Sequence, residues 1–532
     1  MHETRQEAMM QTQLLFTSPN PPVELPETTL HDLIVGGVRE RADVVALVDA
    51  VSGESVTYGT LADRVERVSS ALVDRGLAKG DVVAVVSANC LDYPVATLGV
   101  MAAGGVVSGV NPTYTGGELI HQLNDAGATR VIVGEMFLPS VQAIASDTSV
   151  DEIIVFGDAD GTVPFASLVD HDLPAVSVAV DPDDLAALPY SSGTTGRSKG
   201  VRLTHRNLVA NLRQCNDMFK LSTDDTVMAF LPMFHIMGFA IVTMGALDSG
   251  ATVVTIPTFE PTLFCQTIQD HRITKLYVVP PIVNFLAGHP MVDQFDLSSV
   301  EVLGSGAAPL GADMEAAAAA RLDCLVGQGY GMTEVAGAAT MPRELDSGEY
   351  DLRAGSSGQL VPGMEALVID PESGASLGPH ETGELWVRGP NCFDGYLNNE
   401  EATTATIDAD GWLHTGDLCH FDDDGFLFVT DRLKELIKVK GFQVAPAELE
   451  AVLLTHPNVA DVAVVGRPDD RSGEVPVAHI VPWGELAVDE LRAWMDERVA
   501  DYKRLADIVI TEAIPKNPSG KILRRELRST EA

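Results

Sequence analysis

The stretch YSSGTTGRSKG, Tyr190–Gly200, has almost nothing apolar to bury. Gly193, Gly196 and Gly200 admit positive φ and close backbone approach, so successive N–H groups can turn into one concavity. Ser191, Ser192, Thr194 and Thr195 add hydroxyl donors, and Lys199 adds a mobile positive charge. This is the composition of a phosphate cradle. It is not GxxxxGK[ST], because Gly200 follows Lys199. The same residues would also serve as a flexible Ser/Gly linker, and on the loop alone both readings stand. Two further cation sites matter. KELIKVKG gathers Lys434, Lys438 and Lys440, and Lys521 sits in the Pro/Gly-rich NPSGK.

Those cations stand against a strongly acidic chain. With 35 Lys+Arg and 76 Asp+Glu the formal net charge is −41. Long-range repulsion of phosphate argues against nucleic acid or an acidic membrane as partner. An anionic ligand needs local Lys, Arg or backbone N–H groups; the rest of the acid reads as solvated surface. No apolar run reaches the ~18 residues of a membrane span, and the polar MHETRQEAMMQTQ start does not read as a secretory signal. Cys90, Cys215, Cys265, Cys324, Cys392 and Cys419 show no metal-like spacing, which suits free thiols in a reducing cytoplasm. A cytoplasmic location is therefore expected; the sequence leaves the oligomeric state open.

The elements that must position these groups alternate from about residue 56. Leu61, Val65, Val68 and Leu72 share one face of a helix over Thr60–Arg75, with Gly76 as its stop. DVVAVVSA, a helical stretch over 91–103, GVVSGV, TRVIVG and DEIIVFG follow, and the rhythm resumes over 207–303. Helices interleaved with short apolar strands imply mostly parallel sheets covered on both faces. Over 356–430, Gly- and Asp-rich turns separating GELWVRG and GFLFVTD suggest a β-rich subdomain. The last ~100 residues, with the PAELEAVLL helix and the strand-like VADVAVVG, VPVAHIVP and DIVITEAI, are enough for an α+β domain. The expected fold is α/β: a large N-terminal domain of stacked, mostly parallel sheets with helices, and a small mobile C-terminal domain. The boundaries are 1–431 and 432–532, with a hinge at 432–434.

Six ordered motifs resemble the adenylate-forming superfamily of acyl-CoA synthetases, firefly-type luciferases and peptide-synthetase adenylation domains. They are YSSGTTGRSKG, GSGAAPL (304–310), GQGYGMTE (327–334), GWLHTGD (411–417), DRLKELIKVKGFQVAPAELE (431–450) and PSGKILRREL (518–527). Arg197–Ser198 departs from the family's usual Leu–Pro. The likeness runs from about residue 30 to the C-terminus and is strongest to 4-coumarate–CoA ligase-like enzymes. It implies ATP, Mg2+ and coenzyme A as cofactors and a small-molecule carboxylic acid as substrate.

By that resemblance, Ser191, Ser192, Gly193, Thr194, Thr195, Gly196 and Lys199 hold phosphate. Gly306, Ala307, Gln328, Gly329, Tyr330, Thr333, Asp417, Arg432 and Lys434 complete the ATP/AMP site. Gly329 and Gly331 flank Tyr330 and leave its ring free to stack on a purine. Asp417 can accept from vicinal ribose hydroxyls, with Arg432 as companion. Glu334, beside Thr333, offers oxygen suited to Mg2+. Lys521, Lys438, Gln443 and His235 are the implied catalytic residues, and Lys440 and Gly441 line the CoA site. Lys434 also marks the hinge.

Two half-reactions follow from the likeness. A carboxylate attacks ATP at the α-phosphorus, and CoA then displaces AMP from the acyl carbon. Lys521 would bridge the two anions of the first step, and rotation about the hinge would bring Lys438 and Gln443 for the second. PMFHIMGFAIVTMGAL (232–247) would line the acyl pocket through His235, Met237, Phe239 and Ile241, with Gly304 beside them and His235 at the family's gating position. Ile236 stands where amino-acid adenylating domains keep an Asp, so an amino-acid substrate is not expected. Gly304 stands where plant coumarate ligases often carry a Lys. A cinnamate-like aryl acid is favoured over a medium-chain fatty acid. A carrier-protein-loading ligase, a luciferase-like oxygenase and a non-catalytic nucleotide binder are the remaining alternatives; the STEA ending, without SKL or a carrier domain, favours free CoA.

Overall fold

Short β-branched runs buried on both faces make the framework. VVAVV at Val82–Val86 pairs in parallel with Val106–Val110 on one side and Ala128–Gly134 on the other. With no face left for water, such strands need no polar alternation. The computed structural model describes residues 14–191, 198–440, 442–469, 471–516 and 520–530. In it these strands belong to a seven-stranded sheet that extends through Glu152–Phe156 to Val163–Pro164 and, on the other side, through Leu185–Ala187 to Leu203–Thr204. Only the last of these pairs is antiparallel.

A second seven-stranded sheet runs Leu325–Gln328, Val302–Ser305, Lys275–Val278, Thr226–Ala229, Thr252–Thr255, Val45–Asp49, Ser55–Thr57, again parallel except at its final pair. Helices fill the space between. The Tyr58–Asp74 helix starts two residues before the expected Thr60, because Thr57 caps it by accepting from Thr60 N. It buries Leu61, Val65, Val68 and Leu72 against the Asp92–Ala102 helix. Residues 365–432 form the antiparallel layer, Glu365–Ile369, Gly383–Arg388, Leu413–Phe421 and Leu427–Arg432, with Phe16–Thr17 added at its edge.

One apolar core joins side chains from Leu30 to Leu427. Beyond residue 432 the chain gathers a separate core of Ile437, Val444, Leu449, Val464, Ile480, Leu491 and Met495. It covers an antiparallel sheet on which Asp507–Ile510 lies parallel to Gly473–Pro482. The two parts meet at several points: Asn284 Nδ2 donates to Ala460 O at 2.7 Å, Ala447 N donates to Asp431 Oδ2 at 2.9 Å, and the His289 and Trp483 ring centroids are 6.0 Å apart. Among the described residues, no helix is long and apolar enough to cross a membrane.

Candidate active site

In parallel sheets the C-terminal strand ends collect ligands, and here three of them build a floor. Tyr277, Gly304 and Gly327 lie in one register row across adjacent strands, followed by Val278, Ser305 and Gln328. Gly304 and Gly327 carry no side chain, so the Tyr277 ring lies over Gly304, while Pro342 and Leu352 cover Gly327. A Cβ on Gly304 would stand 3.0 Å from Tyr277 Cδ1. Above the floor is a cavity of about 90 Å3, walled by Phe219, His235, Met237, Ile241, Tyr277 and Tyr330 and edged by Gly306, Ala307 and Gly329.

The far wall comes from an unusual helix. Met237–Met244 winds as a π-helix, a rare wide form that is frequent at functional sites. It turns Met237 and Ile241 into the cavity, while Phe239 points into the core and lies outside the lining. Only one face of a helix can reach a pocket, so Phe239 does not occupy the acyl position expected of it. His235 Nδ1 accepts from Met237 N at 3.3 Å, which leaves the neutral ring's proton on Nε2. Burial, helped by the charge of Lys521, pushes the His235 pKa down to about 4.

At the mouth, Tyr330 Oη donates to Asp417 Oδ2 at 2.7 Å, and Arg432 Nε lies 3.1 Å from Asp417 Oδ1. Asp417 and Arg432 are cross-strand partners, which fixes this geometry in the backbone. Lys521 is drawn into the same field. Burial and then Arg432 lower its pKa to about 8, against the pull of Asp417, Glu435 and Glu334. The preceding Gly520 has φ +82° and rests on Val279, where a Cβ would meet Cγ2 at 3.1 Å. Gly520 is thereby seated on the large core.

The hydroxyl-rich stretch enters and leaves as an antiparallel pair, Tyr190–Ser191 with Lys199–Gly200. Its expected phosphate groups at Ser192, Gly193, Thr194, Thr195 and Gly196 lie outside the described residues, as does Gly441. At the flanks, Ser191 Oγ donates to Glu334 Oε1 at 2.9 Å and Lys199 Nζ sits 3.9 Å over the Tyr396 ring. Burial lowers the Lys199 pKa, with Glu334 opposing and Lys434 assisting, so these three charges are neighbours. Thr333 is buried beside Glu334.

Gln328, expected at the nucleotide, also lines the cavity. Its amide is spent internally: Oε1 accepts from Leu310 N at 2.9 Å, and Nε2 donates to Leu310 O at 2.8 Å and to Glu315 Oε1 at 2.7 Å. Lys438 and Gln443 face each other across the Ile437–Val439 and Phe442–Val444 hairpin, both exposed like Lys440. The arrangement thus gathers Lys521, not the Lys438–Gln443 pair, with Asp417 and Arg432. Sequence reasoning missed Tyr396, Tyr277 and Phe219. Tyr277 lies in a strand that reads as plain core, and Tyr396 in a loop where spacing carries no signal.

The AMP-binding enzyme model matches residues 37–397. The chain belongs to the AMP-binding enzyme family. The model of the AMP-binding enzyme C-terminal domain matches residues 448–521. Among relatives of this AMP-binding enzyme, 4-coumarate–CoA ligase 3 of Oryza sativa subsp. japonica is 40% identical over 524 residues, 97% of this chain and 95% of its own length. The structure of the anthranilate CoA ligase AuaEII in complex with anthranoyl-AMP superposes with a TM-score of 0.89 at 26% identity, covering 96% of this chain and 98% of that one. ATP-bound MatB from Rhodopseudomonas palustris gives 0.86 at 29% identity, covering 95% and 99%.

Magnesium fits this AMP-binding enzyme in one way. Glu334 is a buried carboxylate, 5% exposed, beside the phosphate-loop flank. Among the described residues no group of three or more His, Cys, Asp or Glu stands ready for a metal. A single carboxylate sharing the ion with phosphate oxygens and water is the usual Mg2+ arrangement.

Proposed function

We propose that this AMP-binding enzyme is an AMP-forming carboxylic acid–CoA ligase whose acid is an apolar aryl acid of the cinnamate or 4-coumarate type. The relatives named 4-coumarate–CoA ligase support the chemistry, and the anthranoyl-AMP complex of a structural neighbour supports an aryl-adenylate. The observation that carries the reading is the juxtaposition of a small aromatic-walled cavity with Asp417, Arg432 and Lys521 at its mouth. The cavity, about 90 Å3, is smaller than the roughly 150 Å3 apolar hole that admits benzene.

In the first half-reaction a carboxylate oxygen bonds to the α-phosphorus of ATP and pyrophosphate leaves with the broken P–O pair. Lys521 touches both anions and offsets the charge that develops between them, a role supported by its place beside Asp417 and Arg432. Tyr330 offers its ring to the base, and Asp417 and Arg432 hold the ribose side. Mg2+, when bound, would neutralise phosphate charge, with Glu334 as its protein ligand. In the second half-reaction the CoA thiolate bonds to the acyl carbon and AMP leaves. Residues 432–532 form a lid that turns about 432–434 and exchanges Lys521 for Lys438, Gln443, Lys440 and Gly441. His235, neutral at pH 7, can move without carrying charge through an apolar wall.

Release of AMP and pyrophosphate against a panel of carboxylates, with and without CoA, tests the reading. Cinnamates and benzoates should give CoA-dependent AMP release with kcat/KM above that of octanoate. Preference for octanoate overturns the aryl assignment, and AMP release indifferent to CoA overturns the ligase.

A further inference from the structure

Tyr396 makes two contacts of different chemistry with two groups of opposite charge. Its hydroxyl donates to Glu334 Oε1 at 2.8 Å, the oxygen that also accepts from Ser191. Its ring carries Lys199 Nζ at 3.9 Å from the centroid, within cation–π range. The side chain itself is 7% exposed, so both contacts are made where water competes poorly and each is correspondingly stronger. Ring position is fixed from below by Phe393, whose centroid is 4.9 Å away in an edge-to-face arrangement, and the Tyr396 N–H is held by Thr403 Oγ1 at 2.9 Å.

An ammonium and a carboxylate this near one another attract. Closing into a direct ion pair would consume the charge that a phosphate and its metal need. Tyr396 stands between them and satisfies each without neutralising either: the π face takes the cation and the O–H takes the anion.

We propose that Tyr396 is a positioning residue that holds the Glu334 carboxylate and the Lys199 ammonium apart, so that the metal ion and the ATP phosphates find both groups available. The inference rests on the nucleotide site described above and deepens it. It assigns separate duties to the two ends of one side chain, and substitution can separate them. Tyr396→Phe keeps the ring under Lys199 and removes the donor to Glu334. Tyr396→Leu removes both.

The test measures binding of Mn2+·ATP to the full chain by electron paramagnetic resonance, with no acid or CoA present, alongside the Mg2+ dependence of pyrophosphate release. Tyr396→Phe should weaken Mn2+ binding in the ATP complex about five- to tenfold and raise the Mg2+ needed for half-maximal rate by the same factor. The KM for the acid should not change. Tyr396→Leu should in addition weaken binding of metal-free ATP, because Lys199 then has only Glu334 to meet. A Tyr396→Phe chain with parental Mn2+ affinity and Mg2+ dependence overturns the proposal. So does one that loses kcat and melting temperature alone, for that is a packing role. If the parent chain itself binds no Mn2+·ATP, the nucleotide site fails and the proposal falls with it; the parental control separates the two failures.

Discussion

Lys521 is a cation held under strain of its own making. Burial and the neighbouring Arg432 disfavour its charge and push its pKa down to about 8, although the carboxylates of Asp417, Glu435 and Glu334 pull the other way. An ordinary lysine keeps its proton to about pH 10.4. The charged form is the one the proposed first half-reaction needs, and it is present below about pH 8 and lost above it. Since kcat/KM reports the free enzyme, carboxylate-dependent pyrophosphate release should decline as pH rises through about 8. Lys521→Arg, which stays charged, should remove that alkaline limb whatever it does to the plateau. Lys521→Ala should cost roughly a hundredfold or more in adenylate formation, the scale of one lost charge-stabilising group, yet spare thiolysis of supplied acyl-AMP. Equal loss of both half-reactions would count against the division of labour.

Two helices meet through a pair of histidines that the catalytic reading never touched. His205 opens the His205–Phe219 helix, and its Nδ1 accepts from Leu30 N, an otherwise orphan donor at the start of the Leu30–Val35 helix. His31, on that second helix, lies edge-to-face with it at 5.6 Å. Burial lowers both pKa values, that of His205 to about 3, with His31 and Lys79 pushing the same way as burial and Asp184 resisting; Asp32 resists at His31. The unfolded chain takes up the His205 proton near pH 6.5 and the folded chain only near pH 3, with His31 displaced in the same direction. Between those values the unfolded state binds more protons, so stability falls on acidification, by up to about 1.4 kcal/mol per pH unit from His205. Urea unfolding at pH 7, 6 and 5 should show this slope, and His205→Asn, which keeps an acceptor for Leu30, should flatten it. An unchanged slope in the variant would assign the acid sensitivity elsewhere. This junction also marks how far the sequence could be read. The alternation of DVVAVVSA, GVVSGV and TRVIVG gave the parallel sheet, because strands buried on both faces leave their mark in composition. The Gly–Tyr–Gly run at 329–331 and Asp417 were legible from motif resemblance. Long-range pairings were not: His31 with His205, Tyr396 with Glu334 and Gln328 with Glu315 join residues whose spacing has no period.

For the whole molecule, the question is what holds residues 432–532 in the arrangement that presents Lys521. The lid proposed for this enzyme has to leave that arrangement in every turnover, so its hold must be light. The contacts fit that demand. Trp483 remains 52% exposed while its ring faces His289. His289 in turn lies 5.2 Å from Phe285, and Phe285 meets Phe259 at 5.7 Å. A short ladder of rings therefore runs from the lid into the large core, flanked by the Asn284–Ala460 hydrogen bond. Removing its outermost rung should destabilise only the arrangement that makes the contact and shift the population toward the other. Trp483→Ala should slow carboxylate-dependent pyrophosphate release several-fold and leave thiolysis of supplied acyl-AMP unchanged or faster. Fluorescence adds a check that activity alone lacks. The difference between parent and Trp483→Phe spectra isolates this one indole, and it should shift when CoA is added to enzyme loaded with acyl-AMP. An indole that stays constant through that addition, or half-reactions that fall together, would mean that the ladder is fixed packing and that the lid turns about some other contact.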